Sequence, residues 1–163
     1  MPIKYVVGDA TEPQLVPEKY NVIAHVCNDQ GGFGKGFAAQ LAKKYPEAKA
    51  FYRKKAIKGE LKLGHDHLVV IKDDLGIVNM ICQKGYWSIY NPTPLSYEHL
   101  IMCLENFTLI TDPKLLAVHM PMIGIGLAGG NWEIVEYYIK EHLIRKTGVE
   151  DVIVYKLPES KEE

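Results

Sequence analysis

"CNDQGGFGKGFAAQL", residues 27–41, places four glycines in the six positions 31–36 and then passes into an apolar, alanine-rich run. Ahead of it, "VIAHVC" (residues 22–27) is continuously apolar, as in a strand covered on both faces. Behind it, Leu41 and Tyr45 recur at helical spacing. Pro46 then opens a second helix, with Ala48, Phe51, Tyr52 and Ala56 on one face. A strand therefore enters the glycine stretch and a helix leaves it, which is an α/β unit. In such units ligands bind outside the carboxyl ends of strands. Glycine there lets backbone N–H groups come close to an anion, and the helix N-terminus adds unpaired donors and partial positive charge.

The same pattern recurs late in the chain. The apolar run Leu115–Met120 leads into glycines 124, 126, 129 and 130, and Asn131 then stands where a helix cap is expected. Eight of the 14 glycines fall in these two windows, more than two tight turns need. Two such loops side by side suit two phosphates. Further apolar, β-branched runs at Ile3–Val7, Leu68–Ile71, Ile77–Ile81 and Val152–Leu157 predict four more strands. Ser96 is placed to cap a helix carrying Leu100, Leu104 and Phe107. The last helix has Glu133 and Glu136 early, Arg145 and Lys146 late, and Gly148 just beyond, in keeping with the helix dipole and a glycine stop. Residues 72–76, "KDDLG", are too few for a crossover helix, so the strands around them form an antiparallel hairpin. The expected fold is α/β: a three-layer α/β/α domain over residues 1–157 with a mixed central sheet, followed by a short polar tail, residues 158–163.

Composition narrows the function. With 47% hydrophobic and 24% charged residues the chain reads as an ordinary globular domain, and a net charge of −1 argues against bulk nucleic-acid binding. No apolar run approaches the roughly 18 residues of a membrane span, and the N-terminus has no signal core. Cys27, Cys82 and Cys103 give neither a disulfide framework nor zinc spacing, so a reducing, cytoplasmic setting is expected, with no metal and no cofactor. "GGFGKGF" is not a P-loop, because Gly36 stands where a magnesium-binding Ser or Thr belongs. "GIGLAG", residues 124–129, matches G-x-G-x-x-G, but only one helix and one strand follow, too little for a dinucleotide fold. Kinase patterns do not occur.

Four stretches in order carry a resemblance: "VVGDAT", "IAHVCNDQGGFGKGFAAQLAKKYPEA", "IVNMICQ" and "MPMIGIGLAGGNWEIV". Together they resemble the macro domain, an ADP-ribose-binding module, and within it the branch of terminal ADP-ribose glycohydrolases and ADP-ribose-1″-phosphate phosphatases. The resemblance spans roughly Ile3 to Tyr155 and implies the same α/β/α macro-domain fold. It implies that Asp9 accepts from the adenine amino group and that Ala10 offers backbone contact to the base. Asn28 would contact the distal ribose. Gly31, Gly32, Phe33, Gly34, Lys35 and Gly36 would form the first ligand loop, and Gly124, Ile125, Gly126, Leu127, Ala128 and Gly129 the diphosphate loop. Tyr155 is a candidate for stacking on adenine. The expected partner is ADP-ribose or an ADP-ribosylated substrate.

The resemblance also raises the question of turnover. Glycohydrolases of this branch that act through a lysine and an aspartate have those residues where this chain has Gln83 and Ala128. An amide cannot form a Schiff-type adduct, and alanine cannot move protons. Lys84 is a candidate replacement nucleophile, although one step along a strand end turns a side chain to the other face. Asn28 and Asp29 are candidates to orient a water toward C1″ of the distal ribose. His25 and His119 read as core residues. The expected activity is hydrolysis of an ADP-ribosyl bond or removal of a 1″-phosphate. A non-catalytic ADP-ribose reader and an enzyme acting on another diphosphate sugar are the alternatives.

Overall fold

The computed structural model describes residues 2–158. The elements run β1 (Lys4–Val7), β2 (Tyr20–Asn28), α1 (Gly36–Lys44), α2 (Pro46–Ile57), β3 (Asp66–Lys72), β4 (Leu75–Gln83), α3 (Tyr97–Glu105), β5 (Leu116–Pro121), α4 (Trp132–Tyr138) and β6 (Asp151–Lys156). They form one six-stranded sheet in the order β1-β6-β5-β2-β4-β3. Every pair is parallel except β3 with β4, the hairpin that the short "KDDLG" turn predicts. The polar tail lies, from residue 159 on, outside the described residues.

Period-two alternation along the central strands sorts their side chains into two cores. Val22, Ala24, Val78, Met80 and Cys82 face one way and pack with Leu100 and Leu104 of α3 and Val135 of α4. Ile23, Cys27, Ile77 and Ile81 face the other way, against Leu41 of α1 and Ala48 and Tyr52 of α2. Because both faces are covered, β2 and β4 read as unbroken apolar runs, and the three-layer α/β/α architecture follows. β1 departs from that pattern. It pairs on one side only, and Lys4, Tyr5 and Val7 are exposed.

The caps stand where the sequence puts them. The Ser96 side chain accepts from His99 N, and the Asn131 side chain from Ile134 N. The last helix is less regular than expected: α4 gives way to a π-helical segment, Ile139–Arg145, which still buries Ile139, Leu143 and Ile144.

Candidate functional site

Strands β2, β4 and β5 run parallel, so their carboxyl ends open on the same side. A cleft of about 660 Å³ lies there. Its floor is His25, Val26 and Cys27 of β2, and one wall is Asn28 with Gly32 through Gly36, running on into α1 at Phe37 and Ala38. The facing wall is Pro121 through Ala128, and the third is Gln83, Tyr86 and Trp87 at the end of β4.

Asn28 holds the first loop in shape. Its Oδ1 accepts from Gln30 N at 2.8 Å and Gly32 N at 3.3 Å, and its Nδ2 donates to Gly32 O at 2.8 Å. Tyr52 of α2, fully buried, braces the same turn from below. Its hydroxyl donates to the Asn28 carbonyl at 2.6 Å and accepts from Gly31 N at 3.1 Å. Phe33 is wedged beneath the loop, edge-on to His25 at 5.3 Å between ring centroids and 5.1 Å from the Tyr52 ring. Buried and so packed, Phe33 is chiefly an anchor of the loop.

The glycines divide into two groups. At Gly34, Gly36 and Gly126 an added Cβ would meet nothing within 4 Å, so at these positions the chain leaves open space. Gly126 also has φ +67°, a conformation that favours glycine. At Gly129 and Gly130 the constraint is packing: a Cβ would come 2.3 Å from Pro92 O and 2.3 Å from Gly124 O, respectively. Gly32 is covered by the Tyr86 ring, with ideal Cβ to Cε1 at 2.6 Å.

Several expected residues stand elsewhere. Asp29 does not line the cleft. Its Oδ1 accepts from Gly85 N at 2.9 Å and Gln30 Nε2 at 3.1 Å, stapling the first loop to the loop after β4. Lys84 is exposed and also outside the lining, its backbone held by Pro94 O and Asn91 Nδ2 while its neighbour Gln83 faces the cleft. Asp9 and Ala10 follow β1, beyond the cleft lining. Asp9 Oδ1 accepts from Thr11 N and Oγ1 at 2.9 and 2.8 Å, and the residue is exposed; Ala10 is buried. Tyr155 departs from the expectation of an open stacking face. It is 4% exposed, packed with Ala10 and Ile153, and its hydroxyl accepts from Gln14 N at 3.0 Å and donates to His119 Nδ1 at 2.8 Å.

Proton chemistry in the cleft is sparse. Among its lining residues none is Asp or Glu, and the ionisable side chains are His25, Cys27, Lys35 and Tyr86. Burial holds His25 down to about 4, so it is neutral at neutral pH, with Nε2 donating to Asn79 Oδ1 at 2.6 Å. Burial pushes the Cys27 thiol up, which keeps it protonated. Lys35, exposed, is the N-cap residue of α1. Among the described residues no cluster of three His, Cys, Asp or Glu is placed to hold a metal ion, and no helix is long and apolar enough to cross a membrane.

No protein-family model matches the chain. It is nevertheless 31% identical over 144 residues to the ADP-ribose 1″-phosphate phosphatase of Lodderomyces elongisporus, covering 83% of this chain and 89% of that protein. A macrodomain protein from Streptomyces coelicolor superimposes with a TM-score of 0.77 at 35% identity, over 94% of this chain and 98% of that one. The chain belongs to the macrodomain family. A DNA ADP-ribosyl glycohydrolase of Mycobacterium tuberculosis is also similar, 28% identical over 82% of this chain and 36% of its own length. In this macrodomain, Gln83 and Ala128 occupy the cleft where the resemblance places a lysine and an aspartate. Ala128 is buried, and its carbonyl accepts from Leu95 N.

Three residues of the macrodomain's site escape a reading for charge and glycine. Tyr52 looks like one more apolar residue on a helix face. Tyr86 and Trp87 lie in "KGYWSIYNP", residues 84–92, where a run of aromatics just past a strand end was the available signal.

Proposed function

We propose that this macrodomain binds ADP-ribose across the cleft and hydrolyses a bond at C1″ of the distal ribose. One observation carries the reading. Two glycine-rich loops, each following a parallel strand and preceding a helix, face the same cleft of about 660 Å³. That size falls in the range of small-molecule sites, about 300–1,000 Å³. The N-terminus of α1 and the open backbone at Gly34, Gly36 and Gly126 suit a diphosphate. Asp9, with Oδ1 committed to Thr11, retains Oδ2 for an exocyclic amine. The names borne by the relatives, a 1″-phosphate phosphatase and a DNA ADP-ribosyl glycohydrolase, both point to reactions at this end of ADP-ribose.

With no carboxylate in the lining, a protein base is not the proposed route. A water held near Asn28 would attack C1″ as the leaving group departs with the bonding electrons, and the ligand's own diphosphate would accept the water's proton. The oxocarbenium-like transition state needs little nucleophilic push. Loss of a 1″-phosphate is the other hydrolysis available at the same position. Three free, buried thiols suit a reducing compartment.

A second reading, an ADP-ribose reader without turnover, is favoured by Gln83 and Ala128. Calorimetry with ADP-ribose, AMP and a UDP-sugar tests the site, and failure to bind ADP-ribose would sink both readings. Incubation with ADP-ribose-1″-phosphate, ADP-ribosylated protein and ADP-ribosylated DNA, with products identified by mass spectrometry, separates them. Binding with no turnover of any substrate leaves the reader.

A further inference from the structure

The net charge of −1 hides an uneven distribution. Eight of the 19 lysines and arginines fall in residues 43–62, against two of the 20 acidic residues, Glu47 and Glu60. That stretch is the end of α1, the whole of α2 and the turn that follows. Among the described residues Lys44 pairs with Glu12 at 3.1 Å and Lys55 with Glu60 at 3.5 Å. Lys43, Lys49, Arg53, Lys54, Lys58 and Lys62 have no acidic partner among those residues, and all but the part-exposed Lys49 are exposed. Side chains four apart on a helix are neighbours, so Lys49 meets Arg53 and Lys54 meets Lys58. From Lys49 to Lys58 the charges span about 14 Å of helix, or about four steps along one strand of a duplex.

Helix stability does not call for this arrangement, because like charges at that spacing destabilise a helix. The C-terminal part of the same molecule is built the other way, with Glu136–Lys140 and Glu141–Arg145 paired four residues apart. The helix dipole favours cations at the ends of α1 and α2, which explains Lys43, Lys54 and Lys58 but neither Lys49 nor Arg53. The α2 surface also fits an apolar partner poorly. Phe51 and Tyr52 pack inward on the core, and Ile57 is the helix's one exposed large apolar side chain. A helix lying on a membrane needs an apolar stripe, and a protein interface needs aromatic or aliphatic anchors. A single nucleic-acid strand needs rings on which its bases stack. The phosphate backbone of a duplex needs only cations along its path.

We infer that the outer face of α2, with Lys49, Arg53, Lys54 and Lys58 at its centre and Lys43 and Lys62 at its ends, binds the phosphate backbone of a nucleic-acid duplex without reading its sequence. The whole-chain charge does not speak against this, because 18 of the 20 acidic residues lie outside residues 43–62. The surface is separate from the cleft, whose lining includes no residue of α2. It adjoins the first glycine loop from behind: Ala56 and Gly59 flank Asp29 and Gln30, and Tyr52 braces Asn28 and Gly31. A duplex on α2 is therefore held beside that loop, and its binding does not depend on ADP-ribose.

The test is fluorescence anisotropy with a labelled, mixed-sequence DNA duplex of about 20 base pairs, titrated in salt from about 50 to about 200 mM. Four phosphate contacts predict a salt slope of about −4 and a loss of affinity of about a hundredfold over that range. The triple variant Arg53→Gln, Lys54→Gln, Lys58→Gln should bind about tenfold or more weakly at the low-salt end, with a slope of about −1. Its Tm should not fall, because the like-charge pairs are relieved. The triple variant Lys4→Gln, Lys72→Gln, Lys114→Gln changes the net charge equally on other exposed surfaces and should bind as wild type does. A second duplex of scrambled sequence should bind with the same affinity. No binding at low salt, an equal loss in both triple variants, or tighter binding of the separated single strands overturns the inference. So does α2-dependent binding of anionic lipid vesicles or of a polyglutamate peptide without binding of the duplex. Calorimetry with ADP-ribose keeps this apart from the proposed function. If wild type does not bind ADP-ribose, that reading falls and the duplex result stands on its own.

Discussion

Tyr52→Phe isolates the brace beneath the first glycine loop. The ring is kept, so packing against Phe33 is unchanged, and only the hydroxyl is lost. That hydroxyl makes two hydrogen bonds at a fully buried position: it donates to Asn28 O at 2.6 Å and accepts from Gly31 N at 3.1 Å. Each bond contributes about 1 kcal/mol net, and a buried partner left unpaired costs about 1–3 kcal/mol. Asn28 Oδ1, 2.9 Å from the same hydroxyl, keeps its donors Gln30 N and Gly32 N and adds little to the loss. The expected destabilisation is about 2–3 kcal/mol, which for a chain of this length is a fall in Tm of about 5–10 °C. Urea unfolding should show a lower midpoint with an unchanged slope. The same change loosens Gly31 and Asn28, so ADP-ribose affinity should fall about tenfold through lost preorganisation. Tyr45→Phe is the control. Its hydroxyl donates to Thr11 O at 3.1 Å from a part-exposed site where water can substitute, and the cost should be about 1 kcal/mol or less. A Tm for Tyr52→Phe within about 1 °C of wild type would refute the idea that this hydroxyl holds the loop.

The glycines of the second loop separate binding from folding. Gly126→Val, with open space at its Cβ but φ +67°, should fold with a loss of about 1–2 kcal/mol and lose ADP-ribose binding; Gly130→Ala, with its Cβ 2.3 Å from Gly124 O, should unfold first. Thermal melts beside calorimetry check this, and full affinity in Gly126→Val would overturn the placement of the diphosphate. Among the described residues both Asp66 carboxyl oxygens are shut off from solvent, with the Cys103 thiol beside them, although the residue as a whole is partly exposed, and burial raises its pKa well above the usual carboxylate range. A raised acid favours the fold at low pH and loses that advantage as pH rises through its folded pKa. The stability of Asp66→Asn relative to wild type should therefore increase from pH 5 to pH 8, and a constant difference would refute the burial. Burial also holds His25 and His119 down to about 4, from 6.5. Their contribution is present above 6.5 and is lost as pH falls toward 4, by roughly 2 kcal/mol per histidine at pH 5. Urea midpoints at pH 7.5 and pH 5 test this, and equal midpoints would contradict it.

The fold was legible because its signals are local. The unbroken apolar runs of β2 and β4, the short "KDDLG" turn, and the caps Ser96 and Asn131 each act within a few residues. What the sequence concealed depends on distant chain. The conflict at β1 arises because an apolar run does not say whether it will have one neighbour or two, and Val7 is exposed for want of a second. Tyr155 stands one residue from the end of β6, a place that suits a stacking residue, but Gln14 and His119 claim its hydroxyl from 141 and 36 positions away. Asp29 sits beside Asn28 in sequence yet bonds Gly85 N, 56 positions on, and so turns out of the cleft. Strand alternation did separate Gln83 from Lys84, since adjacent side chains at a strand end part company. The same geometry explains the aromatic wall. Once β4 delivers Gln83 to the cleft and Asp29 pins Gly85, the next two side chains are carried along its rim. Gln83, Tyr86 and Trp87 thus line one cleft, although Gly85 between them turns away to bond Asp29.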